Sequence, residues 1–172
     1  STDSGAFWSA VNTGLANRDV LVLSLSPAYA TDHQIFAGTK GGVFKSTDGG
    51  SSWAPVNTDL TSLVIFALAI SPGYATDSTL FAGTQGGVCQ STNGGAAWNC
   101  ASPGLPSLGV FALALSPAYV TDRTIFVGTG DGVFKSTDGG ASWSAALAVP
   151  LVFALAISPD YATDHTIFAA TR

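Results

Sequence analysis

STDGGSSW at residues 46–53 returns as STNGGAAW at 91–98 and STDGGASW at 136–143, and the chain opens on a blurred copy, STDSGAFW, at 1–8. The four segments align without gaps, and their tryptophans, Trp8, Trp53, Trp98 and Trp143, recur every 45 residues. A second signature, SPxYxTDxxhF with h aliphatic, begins at Ser26, Ser71, Ser116 and Ser158. Its spacings are 45, 45 and 42, so the connection between Trp143 and Ser158 has lost three residues. Self-similarity at this period marks a chain built from stacked supersecondary units.

Each unit reads as strands. Residues 65–70 (IFALAI) alternate large and small, which predicts Phe66, Leu68 and Ile70 on one face and Ala67 and Ala69 on the other. Residues 80–84 (LFAGT) and 87–91 (GVCQS) are short strands punctuated by glycine, and Trp98 opens a fourth that runs into a Pro/Gly/Ser-rich connection. Four short strands in about 45 residues, with no helical periodicity, is the period of a propeller blade. The expected fold is all-β: a single domain over 1–172 of β-propeller blades of four antiparallel strands. Three full repeats fall at about 9–53, 54–98 and 99–143, with a partial blade from 1–8 and 144–172. The alanines of the first strand suit a position near a crowded propeller axis.

The pattern S-T-[DN]-G-G-x-x-W resembles the Asp-box, or BNR repeat. That repeat is found in sialidases, sortilin-type receptors, xyloglucan-degrading propellers and photosystem assembly factors, and the resemblance covers essentially the whole chain. It implies that the box is the turn between third and fourth strands, with Asp3, Asp48, Asn93 and Asp138 bonding backbone amides. It implies equally that Trp8, Trp53, Trp98 and Trp143 pack between blades. The residue chemistry agrees, since Asp or Asn accepts amide bonds in a turn and Gly-Gly supplies positive φ. Asn93 keeps the acceptor, whereas Ser4 and Phe7 depart from the pattern. The spacing and glycine-rich context place Trp53, Trp98 and Trp143 in the core.

Composition narrows the functions. Of 172 residues 47% are hydrophobic and only 10% charged, the net charge is −5, and all eleven acids are Asp. Nucleic acid and anionic membranes are poor partners for such a surface. The longest apolar run, 147–157, is about half a membrane span and is broken by Pro150, and no basic segment leads into an apolar one as in a signal peptide. The absence of Met is expected of a processed, exported chain, of a piece of a longer one, or of a chain whose initiator is trimmed.

A sialidase-like site needs clustered arginines with Tyr and Glu, and this chain has three arginines and no Glu. A xyloglucan-cleaving site needs paired carboxylates across a cleft, for which only Asp19, Asp59, Asp131 and Asp160 lie outside the repeated turns. No Ser–His–Asp or Cys–His spacing supports a nucleophile. Each DGG turn offers one carboxylate where calcium takes six to eight oxygens, so no metal or cofactor is expected. Asp32, Asp77, Asp122 and Asp164, each three residues after a repeat tyrosine, read as Asx-turns, and His33 and His165 beside them as solvated turn residues.

In a propeller the first-to-second and third-to-fourth turns share one face, which here carries the repeated residues and reads as scaffold. The opposite face carries the divergent ones: Lys40, Gln85 and Asp131 in the second-to-third turns, and connections 12–19, 57–63, 102–109 and 147–149 with Asp19 and Asp59. That face is the candidate ligand surface.

Cys89 and Cys100 replace Phe44 and Phe134, and Pro55 and Ala145, in one unit only. Pairing Ser91 with Trp98 sets Gln90 against Asn99 and Cys89 against Cys100, close enough for a disulfide; the alternative is two buried thiols. A bridge would imply an extracellular or periplasmic compartment. The fourth blade lacks the strand equivalent to 42–45, 87–90 and 132–135, so its edges invite pairing with further blades of a longer propeller or with neighbouring chains in a ring or filament. Repeat residues decay at the ends, with Ser4 for Gly49 and Ala170 for Gly38. The expected function is a non-enzymatic extracellular structural or interaction module whose partners are its own copies, a protein or a glycan. The alternative is a carbohydrate-binding or glycoside-hydrolase-type propeller whose active residues lie elsewhere.

Overall fold

The computed structural model describes residues 1–106 and 109–172. Blade 1 comprises β1 (Val20–Leu25), a one-turn helix α1 (Tyr29–Asp32), β2 (Ile35–Thr39), β3 (Gly42–Ser46) and β4 (Ala54–Pro55). Blade 2 repeats this as β5 (Ile65–Ile70), α2 (Tyr74–Asp77), β6 (Leu80–Thr84) and β7 (Gly87–Ser91). Blade 3 is β8 (Val110–Leu115), α3 (Tyr119–Asp122), β9 (Ile125–Thr129), β10 (Gly132–Ser136) and β11 (Ser144–Leu147). Blade 4 contributes β12 (Val152–Ile157), α4 (Tyr161–Asp164) and β13 (Ile167–Thr171). Each sheet is an antiparallel meander, and the first strands β1, β5, β8 and β12 neighbour one another in that order. The molecule is a partial propeller of about four blades.

Two strand expectations are corrected. The tryptophans precede the fourth strand rather than opening it, and in blade 2 that strand shrinks to one bridge, Gln90↔Asn99. In blade 1 the Val56 N–H reaches the Val43 carbonyl, but in blade 2 the Val88 carbonyl is taken by the Ser102 hydroxyl, so the chain leaves the ladder after Cys100. Strict alternation along the first strand also fails. A bulge follows its first residue in every blade, so Ile65, Ala67 and Leu68 are all buried while Phe66 is only half-buried. Phe66 instead meets Phe111 at 5.2 Å between ring centroids, and Phe111 meets Phe153 at 6.1 Å, an aromatic ladder across the first strands.

The SPxYxTD signature encodes a one-turn helix in addition to the expected Asx-turn. Ser26 Oγ accepts the Ala28 N–H and donates to Asp32, whose other oxygen accepts the Gln34 N–H, and the same bonds recur in each blade. The turn closes on a left-handed residue, His33, Ser78, Arg123 or His165, at φ of about 50°.

The core lies in the seams between blades. Tyr74, Tyr119 and Tyr161 each set their ring edge-on against Phe36, Phe81 and Phe126 of the preceding blade, at 5.9, 5.7 and 5.7 Å. Burying such a ring contributes about 1.5–3 kcal/mol. Close approach in the three internal seams dictates a glycine in each of the first three blades. A methyl group on Gly38, Gly83 or Gly128 would lie 2.7, 2.8 or 2.7 Å from a side-chain carbon of Ile65, Val110 or Val152, the opening residue of the next blade's first strand. The fourth blade has Ala170 at this position.

Candidate functional site

In each Asp-box the serine and the acid organise the turn. Ser46 Oγ accepts the Gly50 N–H at 2.8 Å, and Asp48 Oδ1 accepts the Ser52 N–H at 2.9 Å. Ser91 and Asn93, Ser136 and Asp138, and Ser1 and Asp3 repeat these bonds. Gly49, Gly94 and Gly139 take φ of 71°, 69° and 76°, and Ser4 takes 60° in their place. A further bond ties the box to the helical turn of its blade: Gly49, Gly94 and Gly139 donate to the carbonyls of His33, Ser78 and Arg123.

Several of these carboxylates have their pKa lowered by hydrogen bonds within the turns. Hydrogen bonds from Ser52, from its backbone amide and from Ser46 hold Asp48 at a pKa of about 2, and Ser142 and Ser136 do the same for Asp138. Asp3 is lowered by Ser1 and the Phe7 amide, and Asp164 by Ser158 and the Thr166 amide. Groups committed in this way act as structural acceptors within their turns. Where Asn93 replaces the acid, Ala97 replaces the serine that serves the second carboxylate oxygen, so the two changes belong together.

The tryptophans divide. Trp98 and Trp143 are 4% and 6% exposed, and Trp53 is partly buried. The Trp53 and Trp98 indole N–H groups donate to the Val11 and Val56 carbonyls, each in the fourth-strand segment of the preceding blade. Trp8 does not take up the inter-blade position implied by the resemblance. It is 81% exposed.

Among the expected ligand-face residues, the fold brings together only Lys40 and Asp19, an exposed ion pair at 3.4 Å. Gln85, Asp131 and Asp59 are exposed on separate blades, Asp59 at a left-handed φ of 64°. These turns are pinned to the inter-blade connections by backbone bonds such as Lys40 to Asp19, Gln85 to Val64 and Leu151 to Gly130. In the 102–109 connection Ser102 caps Val88 and Leu105 is buried, whereas residues 107 and 108 lie outside the described residues. Asp160 sits apart, at the start of α4 on the helical-turn face. No cluster of three or more metal-ligating side chains occurs among the described residues. His33 and His165 lie edge-on to Tyr29 and Tyr161 at 5.8 Å. Cys89 and Cys100 form a disulfide with Cα atoms 4.0 Å apart, next to the hydrogen-bonded pair Gln90–Asn99.

The DUF6242 beta propeller domain covers residues 1–148. The chain belongs to this family. No curated protein matches this DUF6242 propeller. Among solved structures it is similar to the GH74 enzyme of Niastella koreensis, at 25% identity and TM-score 0.65 over 83% of this chain and 25% of that one. It is similar to the GH74 xyloglucanase of Xanthomonas campestris, at 21% identity and TM-score 0.71 over 93% of this chain and 30% of the enzyme. The extracellular domain of a putative hybrid two component system from B. thetaiotaomicron gives 14% identity and TM-score 0.69 over 98% of this chain and 22% of that one. The chain thus spans less than a third of these structures, and the likeness is one of fold. Among the described residues no helix is long and apolar enough to cross a membrane.

Proposed function

We propose that this DUF6242 propeller is a non-enzymatic extracellular interaction module that associates with further copies of itself through the two faces its end blades leave uncovered. The observation that carries this reading is the contrast at one repeat position. Phe36, Phe81 and Phe126 are 0%, 0% and 5% exposed beneath the next blade, whereas Phe168 is 68% exposed. At the other end Leu21, Leu23 and Leu25 of β1 are exposed, as are Phe7 and Trp8. The internal seams show which kind of surface would fit there: the first strand and helical-turn tyrosine of another blade. The disulfide supports an oxidising compartment, as does the similarity to extracellular domains. The non-enzymatic reading is supported by carboxylates that are either bound into turns or spread one to a blade. Sedimentation velocity across micromolar concentrations tests association, and a compact monomer throughout would defeat it. Release of reducing ends from xyloglucan by this chain alone would defeat the non-enzymatic part.

A further inference from the structure

The seams are internal replicas, so a seam whose residues change can be read against the others. The second seam, between blades 2 and 3, differs from the first at four places, and two of those residues, Thr79 and Ala101, recur in the third seam as Thr124 and Ala146. Gln90 stands where Lys45 and Lys135 extend over the rings of Phe36 and Phe126, at 5.3 and 5.5 Å, and Phe81 loses that roof. Thr79 stands where Gln34 accepts the Tyr74 hydroxyl at 3.1 Å; its own hydroxyl turns to the Asp77 carbonyl, as that of Thr124 turns to Asp122, and the Tyr119 hydroxyl, beside the Arg123 guanidinium, has no acceptor. Ala101 stands where Val11 and Val56 accept the indole N–H of Trp53 and Trp98, and the Trp143 N–H has no partner either. Arg123 replaces histidine or serine and lies over the Tyr119 ring at 5.6 Å.

Three of these residues, Gln90, Ala101 and Arg123, meet at a cavity of about 230 Å³ that they line with Phe81, Asn99 and Tyr119, with Asp138 also on its wall. Tyr119 is 0% exposed, so its hydroxyl, which has no acceptor, is withdrawn from bulk water on the wall of this cavity. Native structures pair nearly all such groups, and a buried orphan points to an absent partner. The first seam has a crevice of about 320 Å³ at the corresponding place, but there the Tyr74 hydroxyl, the Lys45 ammonium and the Trp98 indole are all partnered.

We infer that the second seam binds a single neutral sugar ring. Arg123 and Asp138 cancel in charge, which disfavours an ion. The side-chain amides of Gln90 and Asn99 each offer a donor beside an acceptor, the pattern that adjacent hydroxyls on a ring satisfy. Phe81 and Val88 give the apolar wall that the C–H face of a sugar requires. The volume equals that of about seven waters, enough for one ring and too small for a chain. The site is internal to the chain and does not depend on association through the end faces.

The test is titration of the ¹⁵N-labelled full chain with glucose, galactose, mannose and xylose in turn, following the Trp143 indole and the Gln90 and Asn99 amide signals. At least one sugar is expected to shift them saturably in the millimolar range, whereas acetate leaves them unmoved. The triple variant Thr79→Gln, Gln90→Lys, Ala101→Val restores residues found at the same positions in other units, and is expected to bind at least tenfold more weakly. Tyr119→Phe keeps the packing and removes only the orphaned hydroxyl, and is expected to keep its melting temperature while binding at least fivefold more weakly. No saturable shift from any of the four sugars would mean that the cavity holds only water and would overturn the inference. So would a saturable response to acetate alone, or unchanged affinity in both variants.

Discussion

An internal seam and an outer face of this propeller are built from the same repeat and end in opposite states. Within a seam Phe81 is buried beneath Tyr119, Gly83 admits Val110, and Trp98 is 4% exposed. On the outer faces Phe168 and Trp8 are 68% and 81% exposed, and Ala170 takes the glycine position. The repeat residues are thus necessary for burial without being sufficient, since each needs a blade on the far side. Stability is a property of seams, as nearest-neighbour coupling in repeat proteins requires.

The largest effect separating the two regions is expected at the tryptophans. Trp98→Ala should cost about 3–5 kcal/mol by urea denaturation, while Trp8→Ala should stay within about 0.5 kcal/mol. Similar losses at both sites would show that the N-terminal box is covered in solution. Next comes the disulfide, which closes a loop of sequence separation 11 and contributes about 3 kcal/mol in the loop-entropy model. Cys89→Ser with Cys100→Ser should lose that much or less. Amide exchange should rise first at Gln90 and Asn99, where the bridge staples a fourth strand reduced to one pair of residues. An unfolded, unreduced sample that titrates two free thiols would rule the bridge out.

The glycine position sharpens the contrast further. Gly128→Ala drives a methyl group to 2.7 Å from Val152 Cγ1 and 2.9 Å from its carbonyl oxygen, and should cost about 1–3 kcal/mol as overpacking. Ala170→Gly is the mirror experiment. If copies stack on the outer face as blades stack inside, removing this methyl should tighten association about tenfold, and an unchanged sedimentation profile would exclude that geometry.

Much of this was legible in the sequence because the repeat aligns with itself. The 45-residue period, the strands at 65–70, 80–84 and 87–91 and the Cys89–Cys100 register follow from spacing alone. What escaped depends on tertiary context. The bulge after Ile65 breaks the alternation of an otherwise regular strand, and periodicity cannot announce it. The candidate ligand face was inferred from divergence in the connections, yet of its residues only Lys40 and Asp19 come together. The second-seam cavity lies on the repeated face instead. Its signal was present as Gln90 between Lys45 and Lys135 in an otherwise repeated column and as Arg123 in a variable one, but its meaning requires knowing that those columns meet at a seam.

The smallest predicted effect concerns acid. Asp48 and Asp138, held at about 2 in the folded chain, titrate near 3.9 when unfolded. A carboxyl whose folded pKa is depressed contributes stability that is complete above the unfolded value and is lost as pH falls through the folded one. Their contribution should therefore be constant at neutral pH and decline between about pH 4 and pH 2. Box 2 has no such limb, because Asn93 accepts the Ala97 amide with a group that does not titrate. Asp48→Asn with Asp138→Asn makes all three internal boxes alike. Because both carboxylates are exposed and their bonds solvent-screened, the double variant should lose little stability at pH 7, and the urea midpoint should fall less steeply from pH 4 to 2 than in the parent. Parallel acid limbs in the two proteins would place the titration elsewhere, with Asp3 and Asp164, also lowered by turn hydrogen bonds, as the groups to test next.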